Sequence, residues 1–212
     1  MANSIFVQLP KQLRDHLATH AGMVLSTFDI SAELDKETIR NNILFATNGG
    51  INPVCTANLV DFGDDIDNCP KNTKELLEVE SWECTMSGTA LSVTHATIKS
   101  LLGAADVSDA AEGIKLIKPR MTINLEDFQD LWYVVPYGTN GGFIAIKLMN
   151  AFNGSLSLQT EDKGKGKWAF TYRGYSTIDD PTVVPMEVYV KESAAKAAAQ
   201  VDLEEGTEDE EA

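Results

Sequence analysis

Histidines and cysteines are few in this 212-residue sequence, so the chemistry they could support is quickly bounded. His16 and His20 stand four apart, a spacing that puts two imidazoles on one helix face. Leu17 follows His16 where a zinc peptidase needs its glutamate base, and no obvious third ligand follows. These two read as a polar helix face rather than a metal site. His95 falls on the apolar stripe expected for a third helix, where an imidazole most often satisfies a backbone group at the border of a core. Cys84 and Ser87 lie near it in sequence, but no strained elbow of the G-x-S-x-G kind presents a nucleophile. The three cysteines, Cys55, Cys69 and Cys84, are widely spaced and odd in number. That matches neither a zinc knuckle nor a redox pair, and predicts reduced, partly buried thiols.

Two charged stretches invite sharper readings. Asp61-Phe-Gly-Asp-Asp-Ile-Asp67 has the acidity of a calcium loop without its spacing. Counted from Asp61, the sixth position is Ile66 instead of glycine and the twelfth is Asn72 instead of glutamate. It reads as an acidic, extended loop. Lys163-Gly-Lys-Gly-Lys167 is the one basic cluster, and it is no phosphate loop, because neither Gly-Lys pair is followed by Ser or Thr. The residues allow a plain hairpin tip or an electrostatic contact with an acidic patch on a neighbouring copy. No catalytic, cofactor-binding or metal-binding residue is expected anywhere in the chain.

The elements that carry these residues are mostly strands. Trp168, Phe170 and Tyr172 alternate with Lys167, Thr171 and Arg173, the pattern of a half-buried strand. Trp82–Met86, Met186–Val190 and Leu156–Gln159 alternate in the same way. Leu131–Val135 and Phe143–Met149 are apolar on both faces and read as central strands covered on both sides. Shorter candidates lie at Ile5–Leu9, Met23–Ile30 and Val54–Asp61. Turn residues at 137–142 and 162–166 make residues 131–173 look like a four-stranded antiparallel meander. Helices are expected at 11–20, at 36–47 behind an Asp35 cap, and at 90–102 with Leu91, His95, Ile98 and Leu102 on one face. The fold expected is mainly β, of the α+β kind: an antiparallel β-sandwich or barrel with flanking helix, over residues 1–190. Residues 191–212 form a separate acidic tail, composed for solvation.

The net charge is −15, and the tail holds eight acids against two lysines. Such acidity opposes tight binding to nucleic acid and would suit a surface that DNA slides past. No apolar run approaches the length of a membrane span, so no membrane insertion is expected. The N-terminus has neither the basic nor the long apolar region of a signal peptide, which points to a cytoplasmic product.

Two ordered stretches carry a resemblance. One runs from Asp61-Phe-Gly-Asp-Asp-Ile-Asp-Asn-Cys-Pro-Lys71 to Glu80-Ser-Trp-Glu-Cys-Thr-Met-Ser-Gly-Thr89 and the 94–102 helix. The other runs from Glu126-Asp-Phe-Gln-Asp-Leu-Trp132 through Gly141-Gly-Phe-Ile-Ala-Ile-Lys-Leu-Met-Asn-Ala-Phe152 and the 162–168 turn to Gly174-Tyr-Ser-Thr-Ile178. Over residues 22–190 the chain resembles the major tail (tail tube) protein family of long-tailed, non-contractile bacteriophages, the siphoviruses. The resemblance implies a non-enzymatic virion protein, assembled in the host bacterial cytoplasm. It implies hexameric rings that stack into a tube around a tape measure protein, and through which double-stranded DNA later passes. The tube's ends would meet a tail terminator and distal tail or baseplate proteins. Long loops such as 61–76 become candidates for ring-to-ring contacts that fold when a neighbour arrives. An inner tube or ring component of a contractile injection machine shares this physics. A small enzyme built around His95 is the alternative from another class.

Overall fold

The computed structural model describes residues 17–18, 20–31, 35–138 and 141–192. The strand expected at Ile5–Leu9, most of the helix expected at 11–20, His16 and the acidic tail beyond Glu192 lie outside the described residues.

Eleven strands and two helices follow one another along the described chain. They are β1 (Met23–Leu25), α1 (Lys36–Asn42), β2 (Ile43–Phe45), β3 (Thr47–Asp61), β4 (Leu77–Ala90), α2 (His95–Leu102), β5 (Ala105–Ala111), β6 (Ile114–Pro119), β7 (Gln129–Tyr137), β8 (Gly142–Ala151), β9 (Ser157–Gln159), β10 (Lys167–Arg173) and β11 (Met186–Lys191). All pairings are antiparallel. A five-stranded sheet has the order β11-β8-β7-β1-β2, a four-stranded sheet the order β3-β4-β10-β9, and β5 pairs with β6 alone. The architecture is therefore mainly antiparallel β, and among the described residues no barrel closes.

The two larger sheets share one apolar core. Val24, Phe45, Leu131, Tyr133, Leu148 and Ala151 enter it from the five-stranded sheet, and Cys84, Met86, Ala90, Phe170 and Tyr172 from the four-stranded sheet. Leu101 of α2 completes it. Tyr172 brings a hydroxyl into this core, which would be costly unbonded. Its Oη lies 2.7 Å from Ser100 Oγ, and Gln129 Nε2 donates to the same Ser100 oxygen. The other face of β7 and β8 is also covered: Phe28 sets its ring edge-on to Phe143 and tilted to Trp132, and Tyr189 stacks on Trp132. The expectation that β7 and β8 are central strands covered on both sides thus holds.

Several sequence expectations need correction. Residues 131–173 are not one meander: β7 pairs with β8 and β9 with β10, but in different sheets. β11 pairs along the second edge of β8, so β9 has no edge to join there. Phe152 bridges to Arg173 as the chain crosses between sheets. The expected strand at Met23–Ile30 stops at Leu25, because the chain then turns back to lay Phe28 on the outer sheet face. The expected 36–47 helix ends at Asn42, where Ile43-Leu44-Phe45 pairs with β1 instead. The Asp35 cap is present, accepting from Thr38 N at 3.0 Å. The expected 90–102 helix begins only at His95, behind a Thr94 cap, because Ala90 still belongs to β4. Its buried side chains are Thr97 and Leu101, and His95 is exposed. Gly103 ends α2 with φ +69°, and a Cβ there would meet Asn153 O at 2.4 Å, so only glycine fits.

Burial has a consequence for pH. It pushes the Tyr172 phenol from 10.0 up to about 12, against the opposing hydrogen bonds of Ser100 and Gln129. Burial, with the Cys55 thiol beside it, likewise pushes the Cys84 thiol above its ordinary 9.0. The unfolded chain would release these protons first, so their contribution is constant below pH 9 and is lost as pH rises toward 12. Denaturant titrations across pH 7 to 12 should show this alkaline fall, with Tyr172 supplying on the order of 2 kcal/mol of it. Tyr172→Phe should flatten that share of the slope.

Candidate assembly surface

The residues considered for chemistry are not brought together. His95 stands exposed at the start of α2, and His20 is exposed near the start of the described chain. Cys84 is fully buried on β4 and faces Cys55, with the two sulfurs 2.8 Å apart. All three cysteines are free. Among the described residues no group of three His, Cys, Asp or Glu side chains could hold a metal ion. Asp61 turns its carboxylate onto its own loop: Oδ1 accepts from Gly63 N at 2.8 Å and Oδ2 from Asn72 N at 2.9 Å. Phe62 N donates to Leu76 O, and Asn68 and Asn72 take left-handed φ values of 62° and 59°. The 61–76 loop is thus closed on its own turns, not the extended segment awaiting a neighbour that its acidity had predicted.

What the fold builds instead is uncovered apolar surface. β3 and β4 are long, with 15 and 14 residues, but β10 pairs only with Thr85–Ala90 of β4. The rest, Cys55–Asp61 against Leu77–Cys84, leaves the body as a two-stranded arm roughly 24 Å long at ordinary strand rise. Residues directly opposite in an antiparallel pair share a face. Cys55 pairs with Cys84, Ala57 with Trp82, and Leu59 with Val79. The register shift between Asn58 and Leu59 leaves Glu80 unpaired and keeps Val79 on that same face. The arm's apolar side therefore continues the core-facing side of β4, but its cover ends between Cys84 and Trp82. Cys84 is 0 % exposed, Trp82 44 % and Leu59 57 %. The opposite side of the arm is mostly polar, with Val60 its one apolar side chain and Asn58 Nδ2 donating to Ser81 Oγ at 3.0 Å. A groove of about 560 Å³ runs beside the arm, between Val79 and Trp82 on one wall and Tyr175, Val183 and Pro185 on the other.

The same mismatch recurs at the edge of the other sheet. Among the described residues β11 pairs on one side only, with β8. Val188 and Val190 lie opposite Ile146 and Ile144, and both valines are exposed. Open edges and bare apolar faces of this kind invite another strand or sheet.

The β5–β6 hairpin is the second projection, and its strands were not anticipated from the sequence. Its alternation is diluted by alanine, aspartate and lysine, though Glu112-Gly113 between two candidate strands is a hairpin signal. Gly113 takes φ +73° as that turn requires. Val107, Ile114 and Leu116 are exposed on it, and Met121, Ile123 and Leu125 are exposed just beyond. Its base is clamped. Arg120 Nη2 donates to both oxygens of Asp127 at 2.6 and 2.7 Å, and Asp127 Oδ2 accepts from Asn124 N. Arg120 Nε lies 3.0 Å from Asp106 Oδ1, an ion-pair distance without hydrogen-bond alignment. No protein-family model matches the chain, and no curated protein matches its sequence. Among the described residues no helix is long and apolar enough to cross a membrane.

The Asp127 side chain is almost wholly buried, so removing its charge leaves the Arg120 guanidinium only the exposed carboxylate of Asp106. Asp127→Asn should lower unfolding free energy by roughly 3 kcal/mol, read by denaturant titration. It should also open the β5–β6 hairpin to limited proteolysis.

Proposed function

We propose that the protein is a structural subunit that works by self-assembly: a tail tube protein of a long-tailed, non-contractile bacteriophage. It forms hexameric rings that stack into the conduit through which the genome enters the host. Its partners are further copies of itself, a tape measure protein inside the bore, and terminator and distal tail proteins at the tube's ends. The observation that carries this reading is the arm of β3 and β4, whose core-facing side runs past its cover and stays bare. A monomer derives nothing from exposing Leu59, Val79 and Trp82, whereas a neighbouring sheet that covers them recovers their burial energy. The ordered likeness over residues 61–102 and 126–178 supports the tube among other assemblies. The net charge of −15 supports a wall that does not retain DNA.

Sedimentation velocity and negative-stain microscopy of the purified chain test the reading. Six-fold rings or tubes are expected; a strict monomer at high concentration would overturn it. Leu59→Lys with Val79→Glu should abolish assembly and leave monomer unfolding free energy within about 0.5 kcal/mol of the parent, since both side chains are exposed and the new charges are opposite in sign across the pair.

A further inference from the structure

The two ends of the four-stranded sheet present different chemistry. β4 runs from Leu77, at the tip of the arm, to Ala90, which lies opposite Trp168 of β10. β9 pairs only with Lys167–Ala169, so the 160–166 turn sits at the end remote from the arm. Thirteen strand residues separate the two ends, roughly 44 Å at ordinary rise. At the arm end, the exposed apolar side leads to Phe62 and Ile66 at the tip. Asp64 and Glu75 there are paired with Lys71 and Lys74, while Asp65 and Asp67 have no ion-pair partner among the described residues. At the remote end, Leu158 is half-exposed on β9, whose outer edge is unpaired among the described residues. Glu161 takes Lys167 at 2.7 Å, and Lys163 and Lys165 have no ion-pair partner among the described residues.

We infer that the β3–β4 arm of one copy docks head-to-tail on the β9 edge and the 160–166 turn of the next. Its apolar side lies against Leu158, and Asp65 and Asp67 lie beside Lys163 and Lys165. This rests on the reading of the chain as a self-assembling subunit and adds the direction of growth. The two surfaces differ and sit at opposite ends, so the contact is heterologous and copies add along one axis without closing. Exposed ion pairs are individually weak, so the apolar contact supplies most of the affinity. The charges supply direction, because arm against arm sets aspartate on aspartate and turn against turn sets lysine on lysine.

Two full-length variants test this. One carries Asp65→Lys with Asp67→Lys, the other Lys163→Asp with Lys165→Asp. All four positions are exposed, so each variant should keep the parent's circular dichroism and Tm. Each alone should raise the concentration at which polymer pellets by at least about tenfold. Mixed in equal amounts, the two should co-polymerise near the parent's concentration, because each reversed end then meets its reversed complement. Rescue by mixing is an outcome that misfolded variants could not give. If the parent itself stays monomeric, the assembly reading falls and this docking with it. If the parent polymerises and the variants do so equally well, or their mixture does not assemble, only the head-to-tail docking falls. If the lysine reversal blocks assembly and the aspartate reversal does not, the lysines bind elsewhere and the docking is overturned.

Discussion

The burial of one face of β4 is the constraint on which the rest depends. Cys84, Met86 and Ala90 point from β4 into the core, and Phe170 and Tyr172 join them from β10. Side chains on a strand alternate, so a strand that continues past its cover presents its core-facing side to water. β4 does so at Trp82 and Val79, and β3 at Leu59. A smaller protein could have ended both strands at Cys84, or turned polar there. Neither has happened, and the opposite face of the same arm is mostly polar. The pattern is that of an amphipathic arm with one apolar face exposed, which is what the proposed assembly would use.

The body is held firmly enough to carry such an arm. Ser100, Gln129 and Tyr172 join α2, β7 and β10 through one hydrogen-bonded cluster at the core's margin. Phe152 and Arg173 exchange two backbone hydrogen bonds where the chain passes between sheets, at 2.9 and 3.0 Å. The Arg120–Asp127 clamp fixes the second projection at its base. Both hairpins are therefore anchored by buried or bidentate contacts while their far ends remain bare. Pre-organisation of this kind lowers the ordering cost of association, because the surfaces need not fold as they meet. The closed turns of the 61–76 loop belong to the same design, since its tip already holds its shape before any partner arrives.

How much of this was legible in the sequence follows from the range of each interaction. Alternation is local, so the strands around Trp82, Leu131, Phe143, Trp168 and Met186 could be read directly. The Asp35 cap could be read for the same reason. Sheet membership is not local: β8 is flanked by β11, some forty residues later in the chain, and nothing within residues 131–173 reveals that its second edge is taken. The 90–102 helix failed at its start because Leu91 and His95 match a helical period by chance, while the Thr94 cap sets the true register. The β5–β6 hairpin escaped because it packs on little, so its composition carries no strong apolar period. The candidate surface was hidden for a related reason. Leu59, Val79 and Trp82 read as ordinary half-buried strand residues, and only the end of the cover at Cys84 turns them into an exposed face.

Charge then acts on what burial has exposed. An acidic chain at −15 should repel its own copies, and salt screens that repulsion at separations beyond a Debye length of about 8 Å at physiological strength. Association must therefore be won at short range, by apolar faces that exclude water and by the few places where opposite charges can meet. The fold supplies both at separate ends of one sheet. An acidic arm cannot profit from an acidic neighbour, so the proposed docking sets it against the lysines of the 160–166 turn instead. The same repulsion disfavours aggregation through the bare faces of Val188 and Val190, which a neutral protein of this shape would struggle to keep in solution. In the proposed assembly, acidity and uncovered apolar strands are thus complementary: one would hold copies apart at long range, and the other would bind them on contact.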